Sequence, residues 1–259
     1  MSFKKETPLA NAAFWAAKKG NLALLQLLLN SGRVDVDCKD SHGTSALMVA
    51  SYSGHYDCVR ELIMQGADIN LQRETGSTAL FFAAQLGHDE IIKLLFEFGA
   101  STEYQTKDGA TPLFLASQEG HVTIVRQLLS SGAKDGTTPL WIAAQMGHSE
   151  VVKVLLLRGA DREAERNDGS TALFKAAHNG HCNVIEELLK FSPSLGLLKN
   201  GSTALHAAVM GGDPKTVMLL LKANADPTLR NTNNDLPGDL TKNERILRFL
   251  RPPILNGQS

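Results

Sequence analysis

Five histidines, His55, His88, His121, His148 and His181, recur along this 259-residue chain, each directly after a glycine. Imidazole is a common metal ligand and a general base near neutral pH, so such a series invites a metal-site or catalytic reading. Spacing argues against it. The histidines fall at equivalent places in successive segments, and stacked helical segments lie about 8 to 10 Å apart, whereas zinc needs nitrogens about 2.0 to 2.1 Å from one ion. Hydrogen bonding at the start of a helix is the expected role. Asp35, Asp37 and Asp40 faintly suggest a calcium loop, but the glutamate required eleven residues after Asp35 is replaced by Ala46. Cys38, Cys58 and Cys182 are an odd number at unrelated spacings, which fits neither a disulfide framework nor paired zinc ligands, and they are read as reduced thiols. Nucleophile elbows, phosphate-cradling loops and zinc-protease helices are all missing from the sequence. No enzyme, cofactor or metal is expected.

The elements that carry these residues come from a repeat. Its core phrase is Thr-Ala/Pro-Leu, an aromatic, one residue, Ala-Ala or Ala-Ser, two variable residues and Gly-His, followed by a run with paired apolar residues. The leucine falls at Leu47, Leu80, Leu113, Leu140, Leu173 and Leu205, in steps of 33, 33, 27, 33 and 32. Thr78, Thr111, Thr138, Thr171 and Thr203 stand where an N-cap hydroxyl would start a first helix, with Pro112 and Pro139 next at its first position. Gly54, Gly87, Gly120, Gly147, Gly180 and Gly211 are predicted to end that helix. The second helix carries a one-sided stripe, as in Ile91-Ile92 with Leu95-Phe96. One such unit cannot bury both helices, so units must stack.

These segments resemble ankyrin repeats, most fully over Gly136-Thr137-Thr138-Pro139-Leu140-Trp141-Ile142-Ala143-Ala144-Gln145-Met146-Gly147-His148 and on to Gly159-Ala160-Asp161. A degenerate first copy runs through Ala16-Ala17 and Leu28-Leu29, and a last one through Asn234–Leu240 and Ile246–Leu250. The resemblance implies an all-α solenoid of about eight helix-turn-helix repeats with β-hairpin fingers. As one domain over 7–251, the repeats are expected near 7–39, 40–72, 73–105, 106–132, 133–165, 166–198, 199–229 and 230–251, with 252–259 as a frayed tail. Two fingers break the pattern. The linker between Gly132-Ala133 and Asp135-Gly136 is six residues short, which predicts a missing or collapsed finger or a sequence irregularity without purpose. Phe191-Ser192-Pro193 replaces the usual turn and predicts an irregular one.

With 26 basic against 27 acidic residues, the chain lacks the surplus that phosphate-backbone binding demands, so nucleic acid is not an expected partner. No apolar run is long enough to span a bilayer and no secretory leader is visible, which points to a monomer in the cytosol or nucleus. The Asn200-Gly201-Ser202 glycosylation pattern is then read as accidental.

A scaffold or adaptor for another protein is the function the resemblance implies, with a structural spacer as the alternative. The residue after the motif leucine, usually His in the family, is Phe14, Met48, Phe81, Phe114, Trp141, Phe174 and only finally His206. Stacking would align these side chains as an apolar floor to a concave groove, or pack them between repeats in place of the lost histidine bonds. Family members vary the hairpin tips and the pair after Ala-Ala. Carried over by motif, the partner-binding candidates are Tyr52, Phe81, Gln85, Leu86, Phe114, Gln118, Glu119, Trp141, Gln145, Met146, Phe174, His178, Asn179 and Met210. Asn70 resembles asparagines that an oxygen-dependent hydroxylase modifies in other ankyrin proteins.

Overall fold

A helix of eight or nine residues is too short to persist alone in water, yet this chain is built from little else. The computed structural model describes residues 7–133 and 137–251. Helices come in pairs: α1 (Pro8–Lys19) with α2 (Leu22–Asn30), α3 (Ala46–Ser53) with α4 (Tyr56–Met64), α5 (Ala79–Leu86) with α6 (Asp89–Glu97), and α7 (Pro112–Glu119) with α8 (Val122–Ser130). The series continues with α9 (Thr137–Met146) and α10 (Ser149–Leu157), α11 (Ala172–His178) and α12 (Cys182–Leu189), and α13 (Ala204–Gly211) and α14 (Pro214–Lys222). A 3-10 turn, Pro237–Leu240, and α15 (Glu244–Leu250) finish it. The helices group into two compact units that divide between residues 134 and 135. Within the first, α1, α3, α5 and α7 pack in a row with α2, α4, α6 and α8 behind them. Within the second, α9, α11 and α13 form the front row and α10, α12 and α14 the back. The shortened linker falls on 134–136 and the expected tail on 252–259, both outside the described residues.

The back rows carry the core. Val59, Leu62, Ile92, Leu95, Val125 and Leu128 in the first unit, and Val152, Leu155, Val184, Ile185, Leu188 and Leu220 in the second, are wholly buried. Each such side chain stabilises by about 1.5–3 kcal/mol on leaving water. In the front rows Ala83, Ala84, Ala143, Ala144, Ala176 and Ala177 are buried, and their small size lets neighbouring helices approach.

Capping follows the sequence with four corrections, of which one is that Asn179, and not Gly180, caps α11. Thr111, Thr171 and Thr203 accept amide hydrogen bonds from the residue three ahead, as do Thr7 and Ser45. Thr78 stands at the cap but accepts none, and its hydroxyl is buried without a partner. Helix α9 begins at Thr137, so Thr138 lies within the helix and Pro139 is its third residue. Gly211 does not end α13; Gly212 does, in the left-handed region at φ 78°. Gly211 has a different reason to be glycine, because a Cβ there would lie 2.1 Å from the His178 carbonyl oxygen of α11.

Strands do not form among the described residues; one isolated antiparallel bridge joins Lys39 to Ser45. The fingers are turns. The amides of Asp40, Arg73, Thr106, Arg166, Leu198 and Asn231 each donate to the carbonyl four residues ahead. Their outer amides then reach the neighbouring finger: Glu74 to His42, Lys107 to Thr75 and Thr232 to Gly201, at 2.9–3.1 Å. The irregularity at Phe191-Ser192-Pro193 stays before the tip. Ser192 takes φ 51° and the Ser194 amide bonds Glu163, while the turn at 198–202 closes like the others.

The recurring histidines bind repeats together. His55 Nε2 lies 3.0 Å from the Lys18 carbonyl, His88 3.1 Å from that of Tyr52, His121 3.1 Å from that of Gln85, and His181 2.9 Å from that of Gln145. The ring of His88 lies against Gly54, where an added Cβ would sit 2.6 Å from Cε1. Gly54→Ala therefore combines a left-handed backbone penalty of about 1–2 kcal/mol with displacement of that ring, and urea unfolding should show a loss of at least that size. Ser117→Ala should act oppositely. Its hydroxyl is buried without a partner, so removing it should raise stability by on the order of 1 kcal/mol.

Candidate functional site

The ladder after the motif leucine is mainly core. Phe81 is 1% exposed and Trp141 6%, and Met48 and His206 are likewise buried, while Phe14, Phe114 and Phe174 are half-buried. Phe81 and Trp141 therefore offer a partner almost no surface. Trp141 shows what the position does. Its indole nitrogen donates to Ser170 Oγ at 2.9 Å, in the next finger, and Ser170 donates in turn to Asp168 at 2.6 Å. Hydrogen bonds from the Ser170 hydroxyl and amide hold the Asp168 carboxyl below its ordinary pKa. Arg166 and Lys175 lie 4.3 and 5.2 Å from the ring centroid, a cation on an aromatic face in each case. His206 makes the equivalent link, its Nε2 3.1 Å from the Asp235 carbonyl. The tryptophan has replaced the ring-to-finger bond of a histidine as well as its bulk.

The pair after the small residues behaves otherwise. Its first member gives its carbonyl to a histidine of the following repeat, in Lys18, Tyr52, Gln85 and Gln145. Backbone is thus fixed where the side chain points away from the core. Tyr52 is 52% exposed, as is Met210 at 57%, which the Gly212 cap places at the same first position, and at the second place Leu86 and Met146 are 40% and 48% exposed. Glu119 and Asn179 are exposed and Gln85, Gln118, Gln145 and His178 intermediate. Val209, the apolar neighbour of Met210, is buried.

Residues that sequence reasoning missed cluster beside Tyr52. Phe82, one residue beyond Phe81 and so about 100° around the helix, meets the Tyr52 ring edge to face at 5.9 Å between centroids. Arg73, from the finger before α5, sits 5.9 Å over the Phe82 ring. The sequence signal was the second aromatic of Phe81-Phe82. In the second unit a polar recess of about 330 Å³ lies at the finger tips, with Lys199 and Glu165 paired at 3.2 Å.

Asn70 is a structural bridge. Its side-chain amide donates to the Gly99 carbonyl at 3.1 Å and its oxygen accepts from the Ser101 amide at 2.9 Å. Asp37 and Glu163 accept from Asp68 and Ser194 in the same manner. Burial pushes the Cys58 thiol pKa up, with Asp57 and Glu61 adding to the shift, which disfavours a reactive thiolate.

Trp141→Ala should cost about 3–5 kcal/mol in thermal unfolding, whereas Trp141→Phe, which keeps most of the ring but removes the hydrogen bond to Ser170, should cost about 1 kcal/mol. Equal losses in the two variants would show that the indole bond outweighs burial.

Comparison with known proteins agrees with this geometry. The family described as ankyrin repeats (3 copies) matches residues 4–73, 62–138, 80–166 and 140–231. Ankyrin repeat domain-containing protein 29 of Danio rerio is 74% identical over 298 residues, covering 100% of both chains, and that of Homo sapiens is 70% identical over 290 residues, covering 97% of this chain and 96% of its own. Ankyrin repeat domain-containing protein 49 of Bos taurus is 39% identical over 67 residues, 26% of this chain and 28% of its own. Against this chain's 259 residues, 298 aligned residues leave at least 39 positions without a counterpart. That difference equals one 33-residue step plus the six residues missing before Asp135. With the repeated helix pair, the histidine bonds between neighbours and the family match on the page, the chain belongs to the ankyrin-repeat family.

Proposed function

We propose that the chain is a scaffold or adaptor that holds a partner protein through the exposed side chains of its front helices and finger tips. Ankyrin repeats generally mediate protein–protein interaction, and nothing in the site calls for catalysis: its histidines are occupied in bonds between repeats. The observation that carries the reading is the exposure of Leu86 and Met146 at one register of two front helices, with Met210 exposed one place earlier on a third, beside the register of Tyr52. Exposed apolar side chains at a shared position, on backbone held rigid by neighbours, suit recognition: burying them against a partner gains free energy with little ordering cost. Two of the three thiols, Cys38 and Cys58, are buried and no disulfide joins any of the three, which supports a reducing compartment such as the cytosol or nucleus. No helix among the described residues is long and apolar enough to cross a membrane.

Affinity capture from a cell lysate, with Leu86→Ser/Met146→Ser as control, tests the reading. Wild-type chain should retain a protein that the double variant loses, with helical content unchanged by circular dichroism. A spacer would tolerate the change, so equal recovery with both chains rejects the reading. By the family resemblance, Asn70 is also proposed as a hydroxylation site. A peptide mass spectrum from cells that shows no added oxygen on Asn70 rules that out.

A further inference from the structure

Between α3 and α5 of the first unit lies a recess of about 230 Å³ lined by Lys18, Met48, Val49, Tyr52, Arg73 and Phe82, among others. It is smaller than the roughly 300–1,000 Å³ of small-molecule sites and has the scale of a single side chain. Tyr52 and Phe82 form an aromatic corner, edge to face. The rim is cationic on both sides. Lys18 comes from the end of α1, and Arg73 comes from the finger that precedes α5. Neither makes an ion pair among the described residues, and the Arg73 Nε is buried with no hydrogen-bond partner. Glu74, the acidic residue next to Arg73 in sequence, is exposed and pairs with neither. Elsewhere on the surface, lysines such as Lys93, Lys190 and Lys199 are paired with glutamates.

Two unneutralised cations over an aromatic pocket specify a ligand by charge and shape. Cations on opposite rims favour carboxylates on the residues flanking whatever enters, and their field raises the encounter rate with acidic chains. An aromatic corner favours a large apolar or aromatic side chain, which stacks or meets a ring edge at little entropic cost. We propose that this recess receives one large apolar side chain from an extended peptide segment of a partner protein, with Asp or Glu on a neighbouring residue held by Lys18 and Arg73. This rests on the interaction role proposed above and names the chemistry of one contact within it.

Selection of a phage-displayed random dodecapeptide library on the full chain tests the assignment. Enriched peptides should share Leu, Phe or Trp with an acidic residue one or two positions away. Synthesised and measured by fluorescence anisotropy, the leading peptide should bind Lys18→Glu/Arg73→Glu at least about tenfold more weakly, and should lose affinity when its apolar residue becomes Ala. Lys18→Glu alone, a change at an exposed side chain, should weaken it in the same direction without affecting the fold. The single substitution Met146→Ser, in the other unit, should leave it unchanged. No enrichment, enrichment of peptides without acidic residues, or equal affinity for the charge-reversed variant each overturns the assignment. The lysate capture reads out separately: a partner lost through Leu86→Ser/Met146→Ser keeps the interaction role even when the recess fails.

Discussion

Every helix pair in this chain has polar and apolar groups that its own residues cannot satisfy. Helices of eight or nine residues gain too little from their own hydrogen bonds to stand alone, and their buried faces are complete only when another pair covers them. His55, His88, His121 and His181 make that dependence specific, because each ring reaches back to a carbonyl at the end of the preceding repeat's first helix. Asp37, Asn70 and Glu163 reach the other way, accepting from backbone amides of the following repeat near the second helices, and the outer amides of the fingers donate back to the preceding finger at the tips. Bonds between neighbours therefore run along three parallel rows inside each unit.

That arrangement separates the work of adjacent residues. On a front helix, Phe81 goes inward and Phe82 faces the aromatic corner with Tyr52, though they are consecutive. Tyr52 itself is divided: its carbonyl is tied to His88 while its ring stands half in solvent. Recognition side chains are thereby mounted on backbone whose freedom the repeat has already removed. A partner would have to order little beyond the side chains themselves.

The repeat, its helices and their breaks were legible because they depend on local chemistry: threonine hydroxyls at helix starts, left-handed glycines at their ends, apolar pairs at helical spacing. What was not legible depended on neighbours. Gly211 reads as a helix end by motif, yet its smallness serves the approach of α13 to the His178 carbonyl. Phe81 and Trp141 read equally as groove floor or as packing between repeats, and the structure shows them buried, with Trp141 bonded to Ser170. Hairpin fingers were expected from family likeness, but each arm is too short for a ladder, so the amides close a turn and then bond the preceding tip. The recess beside Tyr52 needed Lys18, Arg73 and Phe82 from three separate segments, and no spacing in the sequence joins them.

The histidine bond has a direction, and direction matters to a chain made from its N-terminus. His55 completes a carbonyl of α1, His88 one of α3 and His121 one of α5, so each repeat is finished by residues 36 or 37 positions further on. During translation a repeat that has left the ribosome still lacks its closing bond until most of the following one emerges. Folding of the first unit should trail synthesis by about one repeat throughout, with the most recently made helix pair always the least settled part of the nascent chain.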